Sequence, residues 1–175
     1  MKIPEDKLLE KAKLQLMMKP DTLFYSTILF SLVFSWTKEL PTAGTDGTHL
    51  MINPEYFKNL TEPERIGLLA HEVLHVALSH MTRRMTRNPL LWNYAGDYII
   101  NAMLLKQNYT LPKTDLIDSK FNDLNTEQAY KLIFNEQQKN SGSKFNDKGF
   151  AKSGLGQDIQ YPKKPKDVKA VEQGC

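Results

Sequence analysis

The stretch Thr61-Glu-Pro-Glu-Arg-Ile-Gly-Leu-Leu-Ala-His71-Glu-Val-Leu-His75-Val-Ala-Leu-Ser-His80 decides the fold, because it joins a helix start to an apolar pattern and to two histidines four residues apart. Thr61 can cap the first free amides, and Glu64 can reach back to complete a capping box. Beyond it, Ile66, Leu68, Leu69, Ala70, Val73, Leu74, Val76, Ala77, Leu78, Met81 and Met85 leave little of the circumference polar until Arg83, Arg84 and Arg87. The pattern predicts one helix with a buried middle and a solvated, basic end. Asn88-Pro89 breaks it, and Leu90 to Leu105 read as a second, largely buried helix.

Inside the first of these helices stands His71-Glu72-Val73-Leu74-His75, an H-E-x-x-H. Histidines four apart share one helical face with Cβ atoms about 5–6 Å from each other, so both imidazoles can converge on one ion. Neutral imidazole suits a borderline metal such as zinc, and a neighbouring carboxylate, Glu72, can take a proton from a metal-bound water near neutral pH. The apolar neighbours argue against a chance match on an exposed face, since burying two His and a Glu without partners would cost several kcal/mol. The alternative is a hydrogen-bonded core cluster that holds no ion.

A catalytic zinc needs a third protein ligand and an open position. His80 follows His75 by five residues, and on a continuous helix it points about 140° away from it, which suits a supporting, surface or helix-end residue better than a ligand. The second buried helix offers more. Asn93, Asp97 and Asn101 recur every four residues in apolar surroundings and form one inward polar stripe. A buried Asp wants a cation, so Asp97 is the expected third ligand, with pairing to an arginine or capping of a turn as alternatives. Asn93 and Asn101 are expected to orient the ligands as donors, and Gly96 to let the helices approach. Tyr94 and Tyr98 flank Asp97 as candidate oxyanion donors, although buried tyrosines are more often core residues.

Around this pair the rest of the chain is read more coarsely. Residues 5–19 carry Leu8, Leu9, Ala12, Leu16 and Met17 at helical spacing up to Pro20. Thr22–Trp36 is apolar on nearly all sides and predicts a core helix; at fifteen residues it falls short of the roughly twenty needed to span a bilayer. Asp46-Gly47 predicts a hairpin turn, with Thr48–Asn53 as a strand whose edge could take an extended peptide; His49 on it carries no expected role. A short helix around Thr126–Glu136 closes the ordered part. Residues 1–136 thus form one domain, and the Lys-, Gly- and Pro-rich residues 137–175 read as a solvated tail.

With 175 residues, 41% of them hydrophobic and 25% charged, the chain has the composition of a globular protein large enough to fold without staples. The net charge of +3 comes from the tail, where eight Lys face four acids, so residues 1–136 sum to −1. That distribution argues against nucleic acid as a partner. The single cysteine, Cys175, can form no internal bridge and fits a reducing, cytoplasmic compartment.

Several of these motifs occur together in one family. Pro41-Thr-Ala-Gly-Thr-Asp-Gly, Asn53-Pro-Glu-Tyr-Phe, His71-Glu-Val-Leu-His-Val-Ala-Leu-Ser-His80, Trp92-Asn-Tyr-Ala-Gly-Asp-Tyr-Ile-Ile-Asn101 and Glu127-Gln-Ala-Tyr130 make the chain, over roughly residues 20–135, resemble the metallopeptidase domain often found ahead of a von Willebrand A-like domain. The resemblance implies a zincin-like α+β fold, mainly helical with a small β-hairpin or sheet and a buried active-site helix. It implies His71, Glu72 and His75 at the site and is consistent with Asp97 as third ligand. The sequence stops at Cys175 without the downstream domain, so a partner protein or a missing C-terminal domain is expected. Taken together, the expectation is a zinc metallopeptidase acting on a peptide or protein, with Zn²⁺ on His71, His75 and Asp97 and Glu72 as general base. Its rivals are a catalytically silent zincin scaffold that serves as a binding module and a non-haem Fe(II) enzyme, whose facial triad is also two His and a carboxylate.

Overall fold

The computed structural model describes residues 4–19, 23–113 and 116–140. In chain order these form α1 (Pro4–Met18), α2 (Leu23–Ser31), β1 (Val33–Trp36), β2 (Ala43–Thr45), β3 (His49–Ile52), α3 (Pro54–Asn59), α4 (Glu62–Ala77), α5 (His80–Arg83), α6 (Pro89–Lys106), a 3₁₀ turn at Ser119–Phe121 and α7 (Thr126–Asn140). The fold is α+β, mainly helical, with one small sheet.

Local chemistry sets the boundaries of the two helices that matter most. At the start of α4, the Glu64 carboxylate accepts from both the backbone N–H and the hydroxyl of Thr61, at 2.7 and 2.6 Å, and Pro63 fits the first turn. At the start of α6, the Asn88 side chain accepts from the Leu91 N–H ahead of Pro89. Such caps are each worth about 1 kcal/mol.

α4 runs through the main core. On it converge Leu9, Ala12 and Leu16 from α1, Tyr25 and Leu29 from α2, Ala43, Leu50 and Ile52 from the sheet, and Ile100 and Leu104 from α6. A fully buried Leu or Ile contributes about 1.5–3 kcal/mol relative to exposure, so the middle of α4 is fixed from several sides. α6 turns its opposite face to α7 through a second cluster of Ala95, Ile99, Phe121 and Ala129. At Gly67 a side chain is excluded, because an added Cβ would collide with the Thr110 carbonyl oxygen.

The sheet has the order β1-β3-β2, with β3 parallel to β1 and antiparallel to β2. Asp46-Gly47 makes the expected hairpin turn, with Gly47 at φ 95° and Asp46 Oδ1 accepting from the Thr48 and His49 amides. The expectation of an open edge at Thr48–Asn53 is overturned, because β3 is paired on both sides. The edges are β2, whose three residues are buried, and β1, which is half exposed.

Three further expectations are corrected. The apolar run 22–36 is two elements: α2 ends at Ser31, and the β-branched and aromatic residues Val33, Phe34 and Trp36 pair as a strand instead. It is also not packed all round, since Leu23, Phe24, Phe30 and Val33 are exposed. The long helix stops at Ala77, because Ser79 takes the left-handed conformation (φ 53°) and starts a new turn, α5. α7 continues to Asn140, past the expected end at Glu136, while residues 141–175 of the expected tail lie outside the described residues. No helix among the described residues is long and apolar enough to cross a membrane.

Candidate metal centre

One turn of α4 separates His71 from His75, and both imidazoles face α6. Their Nε2 atoms are 3.0 Å apart. Asp97 Oδ1, from the middle of α6, stands 3.1 Å from His75 Nε2 and 3.6 Å from His71 Nε2. All three side chains are buried, and their ligand atoms lie within 4.8 Å of one another. The structure thus brings together the three expected ligands, from two neighbouring helices.

The expected stripe on α6 is present, and its members divide the work. Asn93 Nδ2 donates to Asp97 Oδ2 at 3.2 Å, which leaves Oδ1 toward the imidazoles. Asn101 Nδ2 donates to the Leu116 carbonyl, so its Oδ1 faces His71 Nδ1 at 3.0 Å. A carbonyl oxygen only accepts; His71 therefore carries its proton on Nδ1, and its Nε2 lone pair points at His75 and Asp97. Asn101 acts on the histidine as an acceptor, where the sequence suggested a donor.

His80 departs from the continuous-helix expectation. The left-handed Ser79 redirects the chain, and His80 ends fully buried behind His75 with the two Nδ1 atoms 3.0 Å apart. Its Nε2 lies 3.0 Å from Thr126 Oγ1 at the start of α7. Trp92 Nε1 donates to its carbonyl at 2.7 Å. Gly96 permits this approach: a Cβ there would stand 2.8 Å from His80 Nδ1 and 3.4 Å from His75 Cε1. His80 thus touches a ligand from behind.

Burial holds both of these histidines neutral. His75 is kept well below the usual imidazole range by desolvation first and by the nearby His71 second. His80 is pushed down to about 2, again by burial first, then by His75 and Arg83.

Glu72 is fully buried on the same helix, about 100° round from His71 and 60° from His75. Tyr98 stacks on Phe121 with ring centroids 4.1 Å apart, and Tyr94 packs with Leu91 and Leu116, so both sit in apolar packing. His49 opens β3 and bonds back to the turn, its Nδ1 2.8 Å from Asp46 Oδ2.

The donor chemistry fits a divalent cation. Imidazole nitrogens and a carboxylate oxygen within 4.8 Å can share one ion of borderline softness. With the lone pair of His71 aimed inward and both histidines dry, a cation offsets a burial cost of several kcal/mol. The sequence reading of His80 as a supporting residue rather than a ligand agrees with its place behind His75, but its direction was misread and Thr126 was missed. A left-handed serine leaves no signature comparable to Gly or Asn, and Thr126 meets His80 from 46 residues away.

No curated protein and no solved structure matches the chain. A family model does, over residues 5–173, well beyond the 20–135 suggested by the motifs alone. Nearly the whole chain thus aligns with the family described as "Putative metallopeptidase domain", and the chain belongs to that family.

Proposed function

We propose that this protein is a zinc-dependent metallopeptidase with a zincin-like site. His71, His75 and Asp97 would hold the ion and Glu72 would act as general base. The observation that carries the reading is the convergence of three buried donors, from two helices, on one point. Membership of the family supports the peptidase class. Two imidazoles and one carboxylate leave a fourth position for water or substrate, the arrangement of catalytic rather than structural zinc.

When bound, a divalent ion supplies Lewis acidity, polarising a carbonyl and making water easier to deprotonate. The protein's own part is proton transfer and orientation. Glu72 takes the proton from the attacking water and returns it to the departing amine. Asn101 fixes the ring of His71, and Asn93 turns Asp97 so that Oδ1 faces the two imidazoles. Burial of His71, Glu72, His75 and Asp97 keeps bulk water out and strengthens each of these interactions. The proposed substrate is a peptide or unfolded protein segment, and the single cysteine is consistent with a reducing, cytoplasmic setting.

The test is Glu72→Gln. It should keep the metal content and lower cleavage of an unstructured protein by at least about a hundredfold. Wild-type cleavage should be blocked by a chelator and restored by zinc. A zinc-loaded wild type that cleaves nothing would favour the silent scaffold, and iron in protein purified without added metal would favour the oxygenase-type site.

A further inference from the structure

We infer that His80, held by Thr126, is a positioning residue for the proposed ion, and that His75 and His80 exchange tautomers when the ion binds. The inference rests on the metal reading above and adds to it a second layer of residues. His71 is oriented by an amide whose direction is fixed, since the Asn101 NH2 group faces the Leu116 carbonyl and leaves Oδ1 for His71. His75 is different: its outer nitrogen faces another imidazole, Nδ1 to Nδ1 at 3.0 Å.

Two imidazole nitrogens at that distance share a single proton, because two facing N–H groups repel and two facing lone pairs make no bond. Only two arrangements satisfy the whole chain from Thr126 to the site. In one, the Thr126 hydroxyl donates to His80 Nε2, His80 Nδ1–H donates to His75 Nδ1, and His75 Nε2–H donates to His71 Nε2, 3.0 Å away. In the other every bond runs backwards. His75 Nδ1–H donates to His80 Nδ1, His80 Nε2–H donates to Thr126 Oγ1, and His75 Nε2 presents a lone pair.

Without an ion the first arrangement is favoured, because His75 Nε2–H can donate to the lone pair of His71 Nε2, whereas the second would set two lone pairs face to face at 3.0 Å. With an ion only the second is possible, since a ligating nitrogen carries no proton. In passing from the first to the second, one proton crosses the Nδ1–Nδ1 contact, one leaves His75 Nε2 for water, and one is taken from water at His80 Nε2. Two protons remain on the two rings, and both stay neutral. The hydroxyl of Thr126 is suited to this because it rotates to donate or accept, which a backbone carbonyl cannot do. The surroundings hold the pair in register: the Trp92 indole anchors the His80 carbonyl, and the Arg83–Glu127 ion pair ties α5 to the first turn of α7 beside Thr126.

The experiment uses the full chain with ¹⁵N-labelled histidine, followed by long-range ¹H–¹⁵N correlation after chelator treatment and again with Zn²⁺. His80 is assigned by its loss in His80→Asn. We expect His80 to be protonated on Nδ1 without zinc and on Nε2 with it, while His75 changes the opposite way. Zinc uptake with His80 keeping one tautomer throughout overturns this inference alone, whereas no zinc uptake overturns the proposed function and this inference with it. Competition against a chromophoric chelator gives a second readout. His80→Leu should weaken zinc binding about 10–100-fold, and His80→Asn, whose carbonyl still accepts from His75, should stay within about threefold of wild type. Equal affinities for folded His80→Leu and wild type would contradict the assignment, and the wild-type spectra decide the matter if His80→Leu does not fold.

Discussion

α1 and α2 leave apolar side chains in water, whereas α4 and α6 bury ionisable ones. On the first pair Met18 and Leu23 are more than 80% exposed and Phe24 and Phe30 more than half. On the second, His71, Glu72, His75 and Asp97 are all at or below 6%. Hydrophobic burial alone would arrange neither. Exposed apolar atoms are common on folded proteins and cost little each, but an ionisable group taken out of water must find a partner. The informative departure from simple burial is therefore the polar one, and the functional reading rests on it.

The sharpest break of this contrast is Asp97→Ala. It should weaken zinc binding by more than about a hundredfold, because it removes a ligand outright and not a support for one, where losses reach about 10–100-fold. Chelator competition measures it. Affinity within threefold of wild type would show that the buried carboxylate serves packing.

Next comes the acid sensitivity of the metal-free protein. His75 and His80 have folded-state pKa values lowered by burial, so below about 6.5 the unfolded chain binds protons that the folded chain refuses. Stability is then fully present above the unfolded value and falls with pH, by up to about 1.4 kcal/mol per pH unit for each histidine, until the folded value is reached. Denaturant melts of chelator-treated protein at pH 7.5, 6.5 and 5.5 should show this slope setting in below 6.5. A flat profile would mean that neither histidine is dry.

The smallest effect belongs to the other pair of helices. Phe24→Ser on α2 should change stability by no more than about 0.5 kcal/mol in the same melts, as surface substitutions usually do. A loss of several kcal/mol would show that this face is buried in solution.

The same asymmetry explains what could be read in the sequence. The metal face was legible because its signals are local: H-E-x-x-H lies within one turn and a half, and Asn93, Asp97 and Asn101 repeat at four. The α4 start and the Asp46-Gly47 turn followed from caps and turn residues, and the mainly helical α+β class from the family resemblance. The 22–36 run defeated the reading because a short apolar stretch has no period that separates helix from strand. β3 lay inside the sheet because β1, which the sequence hid within that run, took its other edge. The supporting role of His80 was read but its direction was not, for one reason: the unsignalled left-handed Ser79, without which its partnership with His75 and Thr126 could not be foreseen.

The most direct measurement is a zinc-edge X-ray absorption spectrum of the purified chain after zinc loading and dialysis. The chain should retain one zinc whose first shell holds two imidazole nitrogens and oxygen at about 2.0–2.2 Å. A chain that retains no zinc, or a shell with a single imidazole or with sulfur, would contradict the proposed site.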